Sequence, residues 1–217
     1  MARILYVNEL GTDCSRVHSF LPLALALKQR GHEVAFALPE LTQADTLLLP
    51  HGFKLMQAPF WHATTQAAAT PLESHVQLML LTGFTHPGTL LGAVRAWRHL
   101  WALESTDLLI TESAPIAQLA ARGLGMPLVA FGDGLAQTPL TRPAPPHHAV
   151  HLQWEQTVLA CANAVLDILQ TPHVACLAEL LQTHATVPTA FPKAAMLEDA
   201  LAVCECLACT TASPSVV

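Results

Sequence analysis

The 217-residue chain has room for one well-buried domain and little for two. Ten basic against sixteen acidic side chains give a formal charge of -6, which offers no field for nucleic-acid phosphate. Charged residues make up only 12% and apolar ones 52%, which excludes disorder and points to apolar surface covered by another domain, a partner chain, a second copy or a peripheral membrane contact.

Hydrophobic periodicity then gives the elements in order. Arg3–Asn8 is a short apolar run almost at the terminus, the pattern of a buried parallel strand. Beyond a polar loop with one glycine, Val17, Phe20, Leu21, Leu23, Ala24 and Leu27 recur at helical spacing and stop at Arg30-Gly31. Glu33–Leu38 is the next apolar run, which completes a βαβ unit with an expected right-handed crossover. Its first loop opens at the carboxyl edge of the sheet, where open α/β folds place ligands.

Leu41–Leu49 reads as a short helix broken at Pro50, and Phe53–Gln57 as a third strand. The segment Phe60–Thr70 is a loop whose length and aromatic content favour a binding edge. Helices are expected over Pro71–Leu81 and Thr89–Leu103. Asp107–Thr111 is a fourth strand with Glu112 just past its end, Ala114–Arg122 a helix closed by Gly123, and Pro127–Phe131 a fifth strand. This repeats the opening pattern and predicts an α/β fold: a three-layer, Rossmann-like, open and mostly parallel sheet. A proline-rich stretch from Gly132 to His151 precedes helices over Leu152–Leu169 and Val174–Gln182. Residues 193–217, rich in Ala, Cys, Thr and Ser, read as an irregular tail of foreign composition, as a linker or a shifted reading frame would produce. Helix propensity alone favours Ala194–Cys209 within it.

The opening residues lack a signal-peptide pattern, and the best apolar stretch, Val76–Val94, is interrupted by Thr82, Thr85, His86 and Pro87. The six cysteines have no secreted disulfide spacing, so a cytoplasmic location is expected. The loop Asn8–Ser15 lacks the glycine spacing of a dinucleotide fingerprint, and no phosphate loop ending in Lys-Ser or Lys-Thr occurs. Cys204, Cys206 and Cys209, like His147, His148 and His151, fall short of the four ligands a structural zinc site wants. No cofactor and no metal are expected.

The run Leu21–Val34, with Pro22-Leu23-Ala24 and then Arg30-Gly31-His32-Glu33-Val34, resembles the first helix and second strand of the GT-B glycosyltransferases of the UDP-glycosyltransferase type, which act on macrolides, flavonoids and other lipophilic acceptors. Asp107–Glu112, Ala120–Pro127 and Phe131-Gly132 also resemble that family's amino-terminal domain, and the likeness covers about residues 1–192. The resemblance implies that 1–192 is an acceptor-binding domain and that a nucleotide-sugar donor would bind only with a complete donor domain. The family's donor motif has no counterpart here. A small lipophilic hydroxyl acceptor is implied as ligand, and a donor-domain chain as partner.

The family's chemistry implies a base at the acceptor hydroxyl and a carboxylate to orient it. Family spacing counted back from His32 reaches Arg16, which does not deprotonate at working pH and cannot be that base. His18 lies two residues on and becomes the candidate base only if the helix starts late; otherwise it is an exposed helix-start histidine. Glu112 matches the family's catalytic carboxylate. It pairs either with His18 as a dyad or with Arg16 as an ion pair, and the two pairings exclude each other. Asp13 is a rival carboxylate or a turn cap. Gly11, Asp13 and Arg16 in and after the first loop, Trp61 and Phe84 in the following segments, and Gly132 and Asp133 at the cleft floor complete the expected substrate contacts.

Overall fold

The computed structural model describes residues 1–10, 15–59, 75–132, 148–187 and 194–211. Its strands β1 (Arg3–Asn8), β2 (Glu33–Leu38), β3 (Lys54–Gln57), β4 (Leu108–Glu112), β5 (Leu128–Phe131) and β6 (Ala185–Val187) form one sheet ordered β3-β2-β1-β4-β5-β6. Every pairing is parallel. The order reverses between β1 and β4, so the crevice of a doubly wound sheet falls at their carboxyl ends.

Helices cover both faces. α1 (Ser15–Gln29), α2 (Thr42–Leu48) and α8 (Ala194–Thr211) lie on one. α3 (His75–Leu81), α4 (Pro87–Glu104), α5 (Pro115–Ala121), α6 (His148–Ile168) and α7 (Leu177–Leu180) lie on the other. Strand alternation divides the core accordingly. Ile4, Tyr6, Phe36, Leu108, Ile110, Val129 and Phe131 face the α1 side, whereas Leu5, Val7, Ala37, Leu109 and Leu128 face the α4 side.

The α1 face is built around aromatic rings. Tyr6 stacks on Phe20 with centroids 4.3 Å apart, and Phe20 meets Phe131 edge-on at 5.1 Å. Burial on one stripe (Val17, Phe20, Leu23, Ala24, Leu27) holds α1 in place. Pro22 falls inside the helix but points to solvent, where its missing N–H does least harm. On the other face, Arg98 of α4 donates to the carbonyls of Ala120 (2.9 Å) and Arg122 (2.7 Å), satisfying the carboxyl end of α5.

The last helix departs from expectation. Residues 194–211 form the continuous helix α8, where an irregular tail was expected and only propensity argued otherwise. Its Ala200, Leu201, Cys204 and Ala208 are buried against the sheet face that carries Leu108, Ile110, Val129 and Phe131. The α1–α2 layer belongs to the β1–β2–β3 half, so α8 shields apolar strand surface on the other half of that face. Arg30, at the end of α1, reaches Glu198 (2.6 Å) and Glu205 (2.9 Å) one heptad apart on α8. Those pairs are well exposed and contribute little; the apolar seam holds the helix.

Two smaller differences concern short elements. The helix expected over 174–182 contracts to α7, because the Asn163 side chain clamps the Val174 backbone in both directions, accepting its N–H (2.9 Å) and donating to its carbonyl (3.0 Å). β6 was not expected. It is aligned by His184, whose N–H donates to the Leu128 carbonyl at 2.8 Å while its Nδ1 accepts the Leu128 N–H at 3.1 Å. Among the described residues no helix is long and apolar enough to cross a membrane.

Candidate functional site

At the carboxyl ends of β1 and β4, where a doubly wound sheet places its crevice, the strands themselves deliver polar side chains. Asn8 and Glu112 are register partners across β1 and β4, and both are 3% exposed. Pleating turns Glu112 to the α1 face, where Tyr6 Oη donates to its Oε2 at 2.5 Å. Arg16, in the first turn of α1, brings Nη1 to 3.5 Å from Glu112 Oε1 and donates to Ser113 Oγ at 2.6 Å. Ser113 holds a left-handed backbone (φ 49°), uncommon for a residue with a Cβ, and this turns the chain out of β4 with its hydroxyl on the arginine. Gly132 completes the wall: its φ is +126°, and a Cβ there would stand 3.1 Å from Glu112 Oε1.

Tyr6 keeps its proton. Burial pushes its phenol well above the usual value, the neighbouring Glu112 adds to the rise, and Arg16 opposes it more weakly. The phenol is therefore a donor and Glu112 its acceptor. Asn8 lies close enough to Tyr6 to favour the phenolate slightly, yet its Nδ2 and Oδ1 meet no partner in hydrogen-bond geometry. A buried amide left unpaired is costly, and its donor and acceptor stay open to a water or a ligand atom.

A second carboxylate sits on the opposite face. Glu9, 5% exposed, accepts the N–H groups of Ile116 (2.9 Å) and Ala117 (2.8 Å), one on each oxygen, and so ties the end of β1 to the start of α5. Desolvation raises its carboxyl from 4.5 to about 8, against the pull of those two N–H donors. Trp97 pulls the same way as the donors, although its Nε1 has no acceptor in hydrogen-bond geometry. The tie is structural and lies on the α5 side of the sheet.

Arg16 and Glu112 are thus brought together, with Gly132 beside them. His18 is not part of that contact: α1 already begins at Ser15, and His18 is exposed on its first turn while Arg16 turns inward. Of the two mutually exclusive pairings, the geometry is that of the ion pair. Phe84, expected to line a pocket, is fully buried among Val76, Met79 and Leu90 in the α4-side core. Gly11, Asp13, Trp61 and Asp133 lie outside the described residues. Tyr6, Asn8 and Ser113 were missed. The signal for Tyr6 and Asn8 was their period-2 placement in a strand ending at the crevice.

A cavity of about 260 Å³ opens at the other edge of the sheet, among Arg3, Lys28, His32, Glu33, Lys54 and Glu104. Its Arg3 and Lys54 are already paired with Glu33 and Glu104, and it lies at the amino ends of the strands, away from Glu112. Among the described residues no cluster of three or more His, Cys, Asp or Glu is placed to hold a metal.

A doubly wound parallel sheet with this strand order is the Rossmann-like fold found in GT-B glycosyltransferases. Among solved structures, the chain is similar to the calicheamicin glycosyltransferase CalG4 (TM-score 0.53, 16% identity, 86% of this chain and 47% of that one). It is also similar to the spinosyn forosaminyltransferase SpnP (0.50, 19%, 88% and 47%) and to the glycosyltransferase SnogD from Streptomyces nogalater (0.50, 14%, 86% and 45%). The chain thus spans less than half the length of each. Identities this low carry the fold and not the activity. No protein-family model matches the chain.

Proposed function

We propose that this chain is the acceptor-binding half of a GT-B glycosyltransferase-like protein, which receives a small lipophilic molecule at the carboxyl edge of β1 and β4. Sugar transfer then requires a donor-binding half supplied elsewhere, and the chain alone has little or no transferase activity. The observation that carries this reading is the buried Tyr6–Glu112–Arg16 group at the topological switch point of the sheet. A guanidinium oriented by Ser113 and Glu112, beside Gly132, is a rigid anchor for one polar group of an otherwise apolar ligand.

Arg16 also favours a second reading. A guanidinium cannot take a proton from a hydroxyl, so the Arg16–Glu112 pair fits a non-catalytic binding protein or one subunit of a split transferase as well. Calorimetric titration with a nucleotide sugar and with a panel of lipophilic alcohols, phenols and acids separates these readings from an intact transferase. Acceptor binding without donor binding is expected. Tight nucleotide-sugar binding by this chain overturns the half-site reading. Addition of a donor-binding chain that restores transfer selects the split transferase over the non-catalytic protein.

A further inference from the structure

From the side chains around Glu112, we infer that the polar group received at this crevice is a carboxylate, held by Arg16 with the Asn8 amide beside it. The inference rests on the acceptor-half reading for its location and adds the chemical class of the ligand.

Arg16 carries five N–H donors, and only Nη1 is engaged, by Ser113 Oγ at 2.6 Å and Glu112 Oε1 at 3.5 Å. Among the described residues Nε and Nη2 donate to nothing, and 27% of the side chain is exposed. Those two atoms form the edge of the guanidinium that grips a carboxylate in two parallel hydrogen bonds. The short bond to Ser113, fixed by the left-handed backbone there, orients the guanidinium, while Glu112 lies farther off and is also occupied by Tyr6. The second, independent observation is Asn8. It is 3% exposed, stands in register with Glu112, and has both amide atoms unpartnered. Its Nδ2 supplies a further donor for a ligand oxygen.

A carboxylate also removes the chemical difficulty of an arginine at this position. It is already ionised at neutral pH, so no base is needed. With a nucleotide sugar held by a donor half, a carboxylate oxygen forms the new bond to the anomeric carbon as that carbon's bond to the nucleotide diphosphate breaks. The diphosphate leaves with the bonding electrons, no proton is transferred, and the product is a glycosyl ester.

The test is calorimetric binding of cinnamate, cinnamyl alcohol and cinnamamide to the full chain and to Arg16→Gln and Arg16→Lys. Cinnamate is expected to bind about tenfold or more tighter than the alcohol, a preference lost in Arg16→Gln and partly kept in Arg16→Lys. Circular dichroism of each variant reports whether it is folded, and Arg16→Lys keeps the test open where Arg16→Gln does not fold. Equal or tighter binding of the alcohol overturns the carboxylate inference and leaves the acceptor-half reading standing. A cinnamate preference that survives Arg16→Gln overturns it too. Binding of none of the three removes both.

Discussion

Tyr6 Oη and Glu112 Oε2 lie 2.5 Å apart, a hydrogen bond between strands 106 residues distant in sequence that joins the ends of β1 and β4 on the α1 face. Its surroundings make it directional: the Phe20 ring stacked on Tyr6 fixes the phenol, and the buried carboxylate receives it. Tyr6 is the protein's single tyrosine, so its titration can be read without interference. Because the folded-state value is raised, the neutral phenol contributes stability that is complete below the unfolded value near 10 and is lost as pH climbs past it. Tyrosinate absorbance is expected to appear only well above pH ~10 and together with unfolding. Ionisation at the ordinary value in a folded chain contradicts the buried pair.

Substituting Tyr6→Phe removes the phenol donor from the buried Glu112 Oε2 and should lower stability by about 1–3 kcal/mol in urea denaturation. The aromatic stack on Phe20 is kept in that variant, so the loss reports the hydroxyl. A change within about 0.5 kcal/mol would show that solvent replaces the bond.

Glu9 gives the opposite face its own pH dependence. Its folded carboxyl is raised from 4.5 to about 8 by burial, so the protonated form is favoured in the fold. The sign follows: its contribution is full below about 4.5 and declines as pH rises through about 8. Urea midpoints measured from pH ~5 to pH ~9 are expected to fall, and Glu9→Gln should flatten that fall. A parallel slope in the variant removes Glu9 as its source.

The strands show best what was legible in the sequence. Glu33–Leu38 coincides with β2 because a parallel strand buried on both sides is a nearly unbroken apolar run. That Arg16 cannot act as a base follows from side-chain chemistry alone. Its choice of partner was not legible, because it depends on where α1 begins, and a start at Ser15 turns Arg16 inward and His18 outward. Phe84 failed as a pocket residue because an aromatic beside a glycine turn looks the same in sequence whether it faces core or cleft. β6 escaped notice because three residues carry no period, and His184 aligns them through contacts distant in sequence. In α8, foreign composition concealed an apolar stripe at helical spacing: Leu201, Cys204 and Ala208.

That stripe makes a sharp contrast. Leu201, 1% exposed, lies in the seam against the sheet, and Leu201→Ala should cost about 2–5 kcal/mol. Arg30→Ala removes both ion pairs to α8 and should cost far less, because exposed ion pairs are screened by solvent. Denaturation of the two variants side by side checks the order. A larger loss in Arg30→Ala means that charge, not apolar contact, holds the helix.

Gly132 tests the wall of the crevice. An added methyl would meet Glu112 Oε1 at 3.1 Å on a backbone at φ +126° that alanine resists. Gly132→Ala should therefore destabilise the fold by about 1–3 kcal/mol and weaken ligand binding at the crevice more than Leu201→Ala does. Equal weakening by both variants argues that the ligand does not sense Glu112.

The central claim, that the crevice between β1 and β4 receives the acceptor, is tested most directly by hydrogen–deuterium exchange of the full chain with and without cinnamate. Protection gathered on peptides spanning Tyr6–Glu9 and Thr111–Ser113 is the predicted result. Protection confined to the amino edge around Arg3, Lys28 and Lys54, with the Glu112 peptide unchanged, would contradict it.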